Sequence, residues 1–366
     1  HMLFKGTTKR NAFQIAQSLE SVGGYLNAMT STEYTCYYAR CLDSQVDLAV
    51  DVLCDMIFHS TFPDEEIAKE KKVVLEEMKM YRDSPDDVVF EEFSQQMFPS
   101  DPIGRPIIGF EQTVSSFTQE DLNTYIHAHY DPSSLLVSVA GNVSHQQVVD
   151  LVGEAVRTWT RNGETAAVRI PRTEPSPLNA PEARAVTRPI EQTHMIIGRR
   201  GLRYDDDDRM PLLLANTVLS GGMSARLHQN IREKYGYCYT VSAFSQSYTD
   251  TGLFGVYIGT DKEYVPHVRE LIGAEFKRLM DEPIPDTEWA ESKTQLKGKL
   301  LLAQESMNNR MTRLAKSELY FERFISLDEL VEEIDAVTRE QVQEFSRAFF
   351  PYEAFSETLL LPDPKD

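Results

Sequence analysis

Glu70 and Glu77 stand seven residues apart in a stretch of helical pattern, FPDEEIAKEKKVVLEEMKMYR (62–82). Two turns at 3.6 residues per turn put both carboxylates on one helix face. The result is an acidic pair of the kind that can do chemistry. Taken alone, the spacing is better explained by an exposed charged face, because Glu70 sits among Lys69, Lys71 and Lys72 and i,i+4 pairs are common. Other candidates are weaker. His127 and His129 form HAH, a metal pair if on a strand. They lie in a helical pattern ending at Asp131-Pro132, where i and i+2 diverge, so they read as non-ligands. His194, on a strand-like EQTHMIIG, reads as structural or at most cleft-lining, and His59, His145, His228 and His267 have no companion at ligand spacing. Gly221, Gly222 and Gly236 suit turns or close approaches, since GGMSARL lacks the spacing of a phosphate cradle.

The elements that must hold these groups come from a soluble, globular composition: 41% hydrophobic and 26% charged residues over 366 positions, enough for two domains. A net charge of −20 argues against nucleic-acid partners, because a polyanion would be repelled. No apolar run approaches the ~20 residues of a membrane span. The densest acidic run, Asp205 to Asp208, reads as a solvated loop. Cys36, Cys41, Cys54 and Cys238 show no CxxC spacing and read as reduced, mostly buried thiols. The cytoplasm is slightly favoured over the periplasm, without the compartment being determined.

A Pro-rich stretch at 164–186 reads as a linker between residues 1–163 and 187–366. The two sides resemble each other. FPDEEIAKEKK (62–72) matches IPDTEWAESKT (284–294), and TQEDLNTYIHAHYDP (118–132) matches TREQVQEFSRAFFPY (338–352), at offsets of 222 and 220 residues. GGYLNAMTSTEYTCYYARC (23–41) pairs with YGYCYTVSAFSQSYTDTGLFGVYIG (235–259), both of strand-like alternation. The expected fold class is α+β: two homologous domains, each an antiparallel-rich sheet packed with long helices. If the halves are duplicates, their differences locate the chemistry: Glu70 and Glu77 correspond to Ser292 and Lys299, so only one copy holds an acidic pair.

The opening HMLFKGT (1–7) resolves the ambiguity of that pair. It resembles the tail of HxxEH-MLFKGT in the pitrilysin/insulysin family of inverted-zincin metallopeptidases, of the two-domain processing-peptidase-like branch. VLEEM (74–78) resembles that family's distal-ligand segment, GGYLNAMTSTEYTCYY its substrate-binding edge strand, and DPIGRPIIGFEQTV (101–114) the loop after the ligand helix. SGGMSARLHQNIREKYGYCYTVSA (220–243) resembles the segment that carries an Arg and a Tyr seven apart, here Arg232 and Tyr239. The resemblance covers essentially the whole chain in fixed order. It implies His1 and Glu77 as Zn2+ ligands, Glu70 as the acidic group orienting His1, and two domains arranged as a clamshell half. The first His and the general-base Glu of HxxEH would lie upstream of His1. His-Met is also what an expression tag leaves behind, but the continuation into LFKGT favours a native histidine.

What the resemblance implies chemically is a zinc endopeptidase cutting extended oligopeptides or unfolded segments. Zinc with an open position lowers the pKa of its water towards ~7, and a Glu beside that water moves its proton. Two ligands without that base make a weak site, so the chain as given is expected not to hydrolyse peptides, whereas its parent should. Substrate would pair with the strand around Asn27, Ala28 and Thr30. Arg232 would hold a carbonyl and Tyr239 would donate to the oxyanion, although Arg232 taken alone reads as a surface ion-pair residue. A homodimer, or a heterodimer with a paralogous chain, is implied by the resemblance only. The competing reading is a non-catalytic scaffold or substrate-presenting subunit of the same family. A nucleotide-dependent enzyme has no phosphate-binding motif behind it.

Overall fold

The computed structural model describes residues 1–158, 175–178 and 180–363; most of the Pro-rich 164–186 stretch lies outside these. Two compact units form, and they interleave along the chain. One comprises His1–Met80, Pro106–Pro171 and Ser306–Ala315, the other Tyr81–Arg105, Arg172–Glu305 and Lys316–Asp366.

In the first unit the 23–41 segment forms an antiparallel hairpin, β1 (Tyr25–Thr30) with β2 (Thr35–Arg40). Alternation sends Leu26 inward while Tyr25, Asn27 and Met29 face out. Leu26 and Tyr37 pack onto a core of Leu3, Ile15, Val52, Met56, Phe62 and Ile67, drawn from the Met2–Phe4 turn, the helices Ala12–Glu20, Val46–His59 and Asp64–Arg82, and, for Phe62, the loop between the last two.

The second unit contains a five-stranded sheet of β3 (Ala183–Arg188), β4 (Thr193–Gly201), β5 (Cys238–Ser247), β6 (Gly252–Thr260) and β7 (Ser356–Pro362), in the order β3-β7-β4-β6-β5. Only β3 and β7 run parallel; the other pairs are antiparallel. The apolar run of β6, GLFGVYIGT, is buried throughout because both sheet faces are covered. Phe254, Val256 and Ile258 face one core, which includes Ile272 and Phe276 of the Val265–Asp281 helix and Val342 and Phe349 of the Arg339–Phe349 helix. Leu253 and Tyr257 face a second core made by Val89, Phe93 and Met97 of the Pro85–Met97 helix. Glycine allows that approach: a Cβ on Gly198 of β4 would lie 2.7 Å from Cε2 of Phe93 and 2.8 Å from the Phe254 carbonyl oxygen.

The segments that match in sequence also start alike. The helices Gln119–His129 and Arg339–Phe349 are each opened by a threonine, Thr118 and Thr338, in a capping box with Asp121 and Gln341. The helices Asp64–Arg82 and Asp286–Ala303 each begin one residue after a proline. Among the described residues no helix is long and apolar enough to cross a membrane.

Candidate functional site

His1 is placed by the turn behind it. Leu3 is buried in the core of the first unit, and the Phe4 amide donates to the His1 carbonyl at 3.1 Å. The facing helix, Asp64–Arg82, starts with Asp64, Glu65 and Glu66, which complement the helix dipole, and it is docked by Ile67 and Met78. Its Glu70 and Glu77 both turn towards the same imidazole. Glu70 Oε1 lies 2.8 Å from His1 Nδ1, and Glu77 Oε2 lies 3.5 Å from His1 Nε2. Glu70 is buried, Glu77 is half-buried, and the His1 ring is half exposed.

Lys5, not singled out by the sequence, completes the group. Its Nζ lies 2.6 Å from Glu70 Oε2. Burial pushes the Glu70 carboxyl upward, but hydrogen bonds from Lys5 and His1 and the charge of Lys5 outweigh it and hold the group below the usual carboxylate range. Glu70 is therefore ionised at neutral pH, when a carboxylate can only accept. His1 Nδ1 is then the donor, and in the neutral ring the lone pair of Nε2 faces Glu77. Lys5 stands four residues after His1 within LFKGT; nothing in its spacing indicates that the turn brings its ammonium back to the helix.

A zinc ion fits this pair as far as the pair goes. At metal–ligand distances of about 2.0–2.2 Å, two donors on a tetrahedral ion stand roughly 3.3–3.6 Å apart, and the His1 Nε2 and Glu77 Oε2 atoms are 3.5 Å apart. Glu70 on the far ring nitrogen is the kind of partner that orients a ligating imidazole. Two donors are only part of a site, however. Among the described residues no three His, Cys, Asp or Glu side chains are grouped so as to hold a metal.

On β1, Asn27 and Thr30 are exposed and Ala28 is half-buried. Asn27 Nδ2 donates to the Tyr25 hydroxyl at 2.5 Å, and its Oδ1 accepts from the Ala28 amide at 2.8 Å. Among the described residues β1 pairs with β2 alone, which leaves its other edge without a strand. In the second unit, Arg232 lies near the end of a short π-helical turn, His228–Glu233, and Tyr239 follows near the start of β5. The Arg232 guanidinium lies 5.1 Å from the Tyr239 ring centroid, and Tyr239 is 78% exposed. The structure thus brings together His1, Glu70 and Glu77 in one unit and Arg232 with Tyr239 in the other. His129 packs on Tyr125 at 4.5 Å, and His194 Nδ1 lies 2.9 Å from the Tyr257 hydroxyl, which burial pushes up to about 12.

The chain resembles known proteins over nearly all of its length. Residues 1–111 match the family described as insulinase, peptidase family M16, and residues 116–296 match the peptidase M16 inactive domain. A Bacillus subtilis protein named an uncharacterized zinc protease is 39% identical over 350 residues, 96% of this chain and 84% of the relative. One of the same name from Streptomyces coelicolor is 38% identical over 349 residues, 95% of this chain and 76% of its own. Among solved structures, a protease from Helicobacter pylori superposes with a TM-score of 0.90 and a peptidase M16 inactive domain from Pseudomonas fluorescens with 0.85. Each is 19% identical and covers 99% of this chain and 87% of the other, a likeness of fold.

Proposed function

The chain belongs to the insulinase family, peptidase family M16, and on that premise we propose that it carries part of a zinc-dependent endopeptidase site for extended oligopeptides or unfolded segments. The observation that carries this reading is the line Glu70–His1–Glu77, in which one ring nitrogen is held by a carboxylate and the other faces a second carboxylate 3.5 Å away. A solvated charged face would not bury Glu70 or give each of its oxygens a separate donor. His1 and Glu77 are the residues that would hold zinc, which when bound lowers the pKa of a water towards about 7 and polarises a carbonyl.

The chain's own residues do the rest of the proposed work. Glu70 fixes the imidazole tautomer and Lys5 keeps Glu70 ionised. The free edge of β1 around Asn27, Ala28 and Thr30 offers main-chain groups to an extended peptide, accepting many sequences. Arg232 donates to a substrate carbonyl, and the exposed Tyr239 hydroxyl donates to a developing oxyanion. Pairing with a second copy or a paralogous chain belongs to the same proposal. Two donors alone, without a general base, are not expected to cleave.

The test is zinc-dependent cleavage of an unfolded peptide by the chain carrying His-X-X-Glu ahead of His1, compared with the chain as it stands and with the extended chain bearing Glu77→Gln. Cleavage by the extended chain alone is expected. Zinc binding without cleavage would remove the enzyme reading and leave the scaffold one.

A further inference from the structure

The π-helical turn that carries Arg232 is anchored unusually firmly. Leu227 and Ile231 are fully buried beneath it. Arg226, also buried, donates from Nε and Nη2 to the two oxygens of Glu288 at 2.8 and 2.6 Å. Asn230 Nδ2 donates to Glu275 at 2.6 Å, and Arg278 donates to the same carboxylate at 3.0 Å. The turn is thereby tied to both the Val265–Asp281 and the Asp286–Ala303 helices.

A rigid turn places the Arg232 backbone, but the guanidinium is still at the end of a long flexible side chain. His228 lies one turn before it, and its side chain is largely buried. Its Nε2 lies 2.8 Å from Arg232 Nη1. A guanidinium has donors only, so His228 Nε2 must accept and the proton of the neutral ring must sit on Nδ1. That nitrogen is buried and has no hydrogen-bond partner; Glu233 Oε1 stands 3.7 Å away, and 3.9 Å from Arg232 Nε. With the Tyr239 ring 5.1 Å from the guanidinium carbon, Arg232 is held by an acceptor and an aromatic ring, while its remaining N–H groups are not committed to either.

We infer that His228 is a positioning residue for Arg232: as a neutral Nδ1–H imidazole it accepts from one arm of the guanidinium and so fixes the other for a substrate carbonyl. The inference rests on the proposed role of Arg232 in peptide holding, and it adds a residue that does not itself touch the peptide. A substituent at 228 that accepts where Nε2 does should preserve the effect, and one that only fills the same space should not. The Oε1 atom of Gln reaches about the Nε2 position, whereas Phe keeps a ring of similar size with no acceptor.

The experiment measures binding of a fluorescein-labelled unstructured peptide to the full chain by anisotropy, which needs no catalysis. Arg232→Ala and His228→Phe are each expected to weaken binding roughly tenfold, the loss of one charge-assisted hydrogen bond. The double variant should bind no more weakly than Arg232→Ala, and His228→Gln should stay within about twofold of the parent. In parallel, 15N spectra of the parent at neutral pH should show His228 protonated at Nδ1 only, which needs no variant to fold. If Arg232→Ala binds like the parent, the substrate-holding role of Arg232 fails and takes this inference with it. If Arg232→Ala weakens binding while His228→Phe does not, or His228→Gln is as weak as His228→Phe, that role stands and the positioning role is overturned. A doubly protonated His228 would overturn it as well.

Discussion

Replacing Glu70 by glutamine is a one-atom change whose outcome the geometry dictates. Each Glu70 oxygen has its own donor, His1 Nδ1 at 2.8 Å and Lys5 Nζ at 2.6 Å. Glutamine offers one acceptor oxygen and an NH2 group. The Lys5 ammonium can never accept, so the glutamine oxygen must face Lys5 and its NH2 must face His1. The imidazole can answer only by moving its proton, turning Nδ1 into an acceptor and placing the N–H on Nε2, towards Glu77. Loss of charge assistance at this buried position should cost roughly 1.5–3 kcal/mol of stability. The displaced lone pair should lower zinc affinity about 10- to 100-fold, the usual range for losing the partner of a ligating histidine. Long-range 1H–15N correlation spectra read the tautomer directly, and urea unfolding reads the stability. Glu70→Gln should show Nε2–H on His1, and adding Lys5→Met should return the proton to Nδ1 by freeing the glutamine to turn its oxygen. If His1 keeps its Nδ1 proton in the single variant, the reading of this site is wrong.

The same carboxylate makes stability depend on pH. Its folded pKa lies below the unfolded value of about 4.3, so the unfolded state binds more protons in acid. Its contribution is complete above that value and is lost as pH falls through the folded one. Urea midpoints of the parent should therefore drop more steeply below about pH 4.3 than those of Glu70→Gln; parallel curves would contradict this. In the second unit, Gly198→Ala pushes a methyl group into the Phe93 ring and the Phe254 carbonyl. It should cost about 1–3 kcal/mol by overpacking, and an unchanged urea midpoint would refute the close approach.

Much of this was legible in the residues. The strand-like alternation of 23–41 and 235–259 indicates strands there, and the structure pairs them as the β1–β2 and β5–β6 hairpins; Glu70 and Glu77 stand out because the matching helix has Ser292 and Lys299. In the structure Lys299 donates to the Gly221 carbonyl, a structural use of the position where the first helix carries its carboxylate. Lys5 was illegible because a turn, not a periodicity, returns it to the helix. His228 has no companion at ligand spacing in the sequence, and in the structure its companion is a guanidinium four residues on. The Pro85–Met97 helix buries Val89, Phe93 and Met97 against the sheet, a long-range contact that periodicity within the helix cannot specify.

That β7 lies between β3 and β4 has a consequence for synthesis. A ribosome delivers β3 and β4 more than 150 residues before the strand that joins them. Throughout that interval the facing edges of both strands carry unpaired amide and carbonyl groups, the feature that templates pairing with other chains. The nascent protein would therefore be most prone to aggregation while β7 is still unmade. A trigger-factor-like holdase acting between residues 201 and 356 should matter more for yield than any rescue after release.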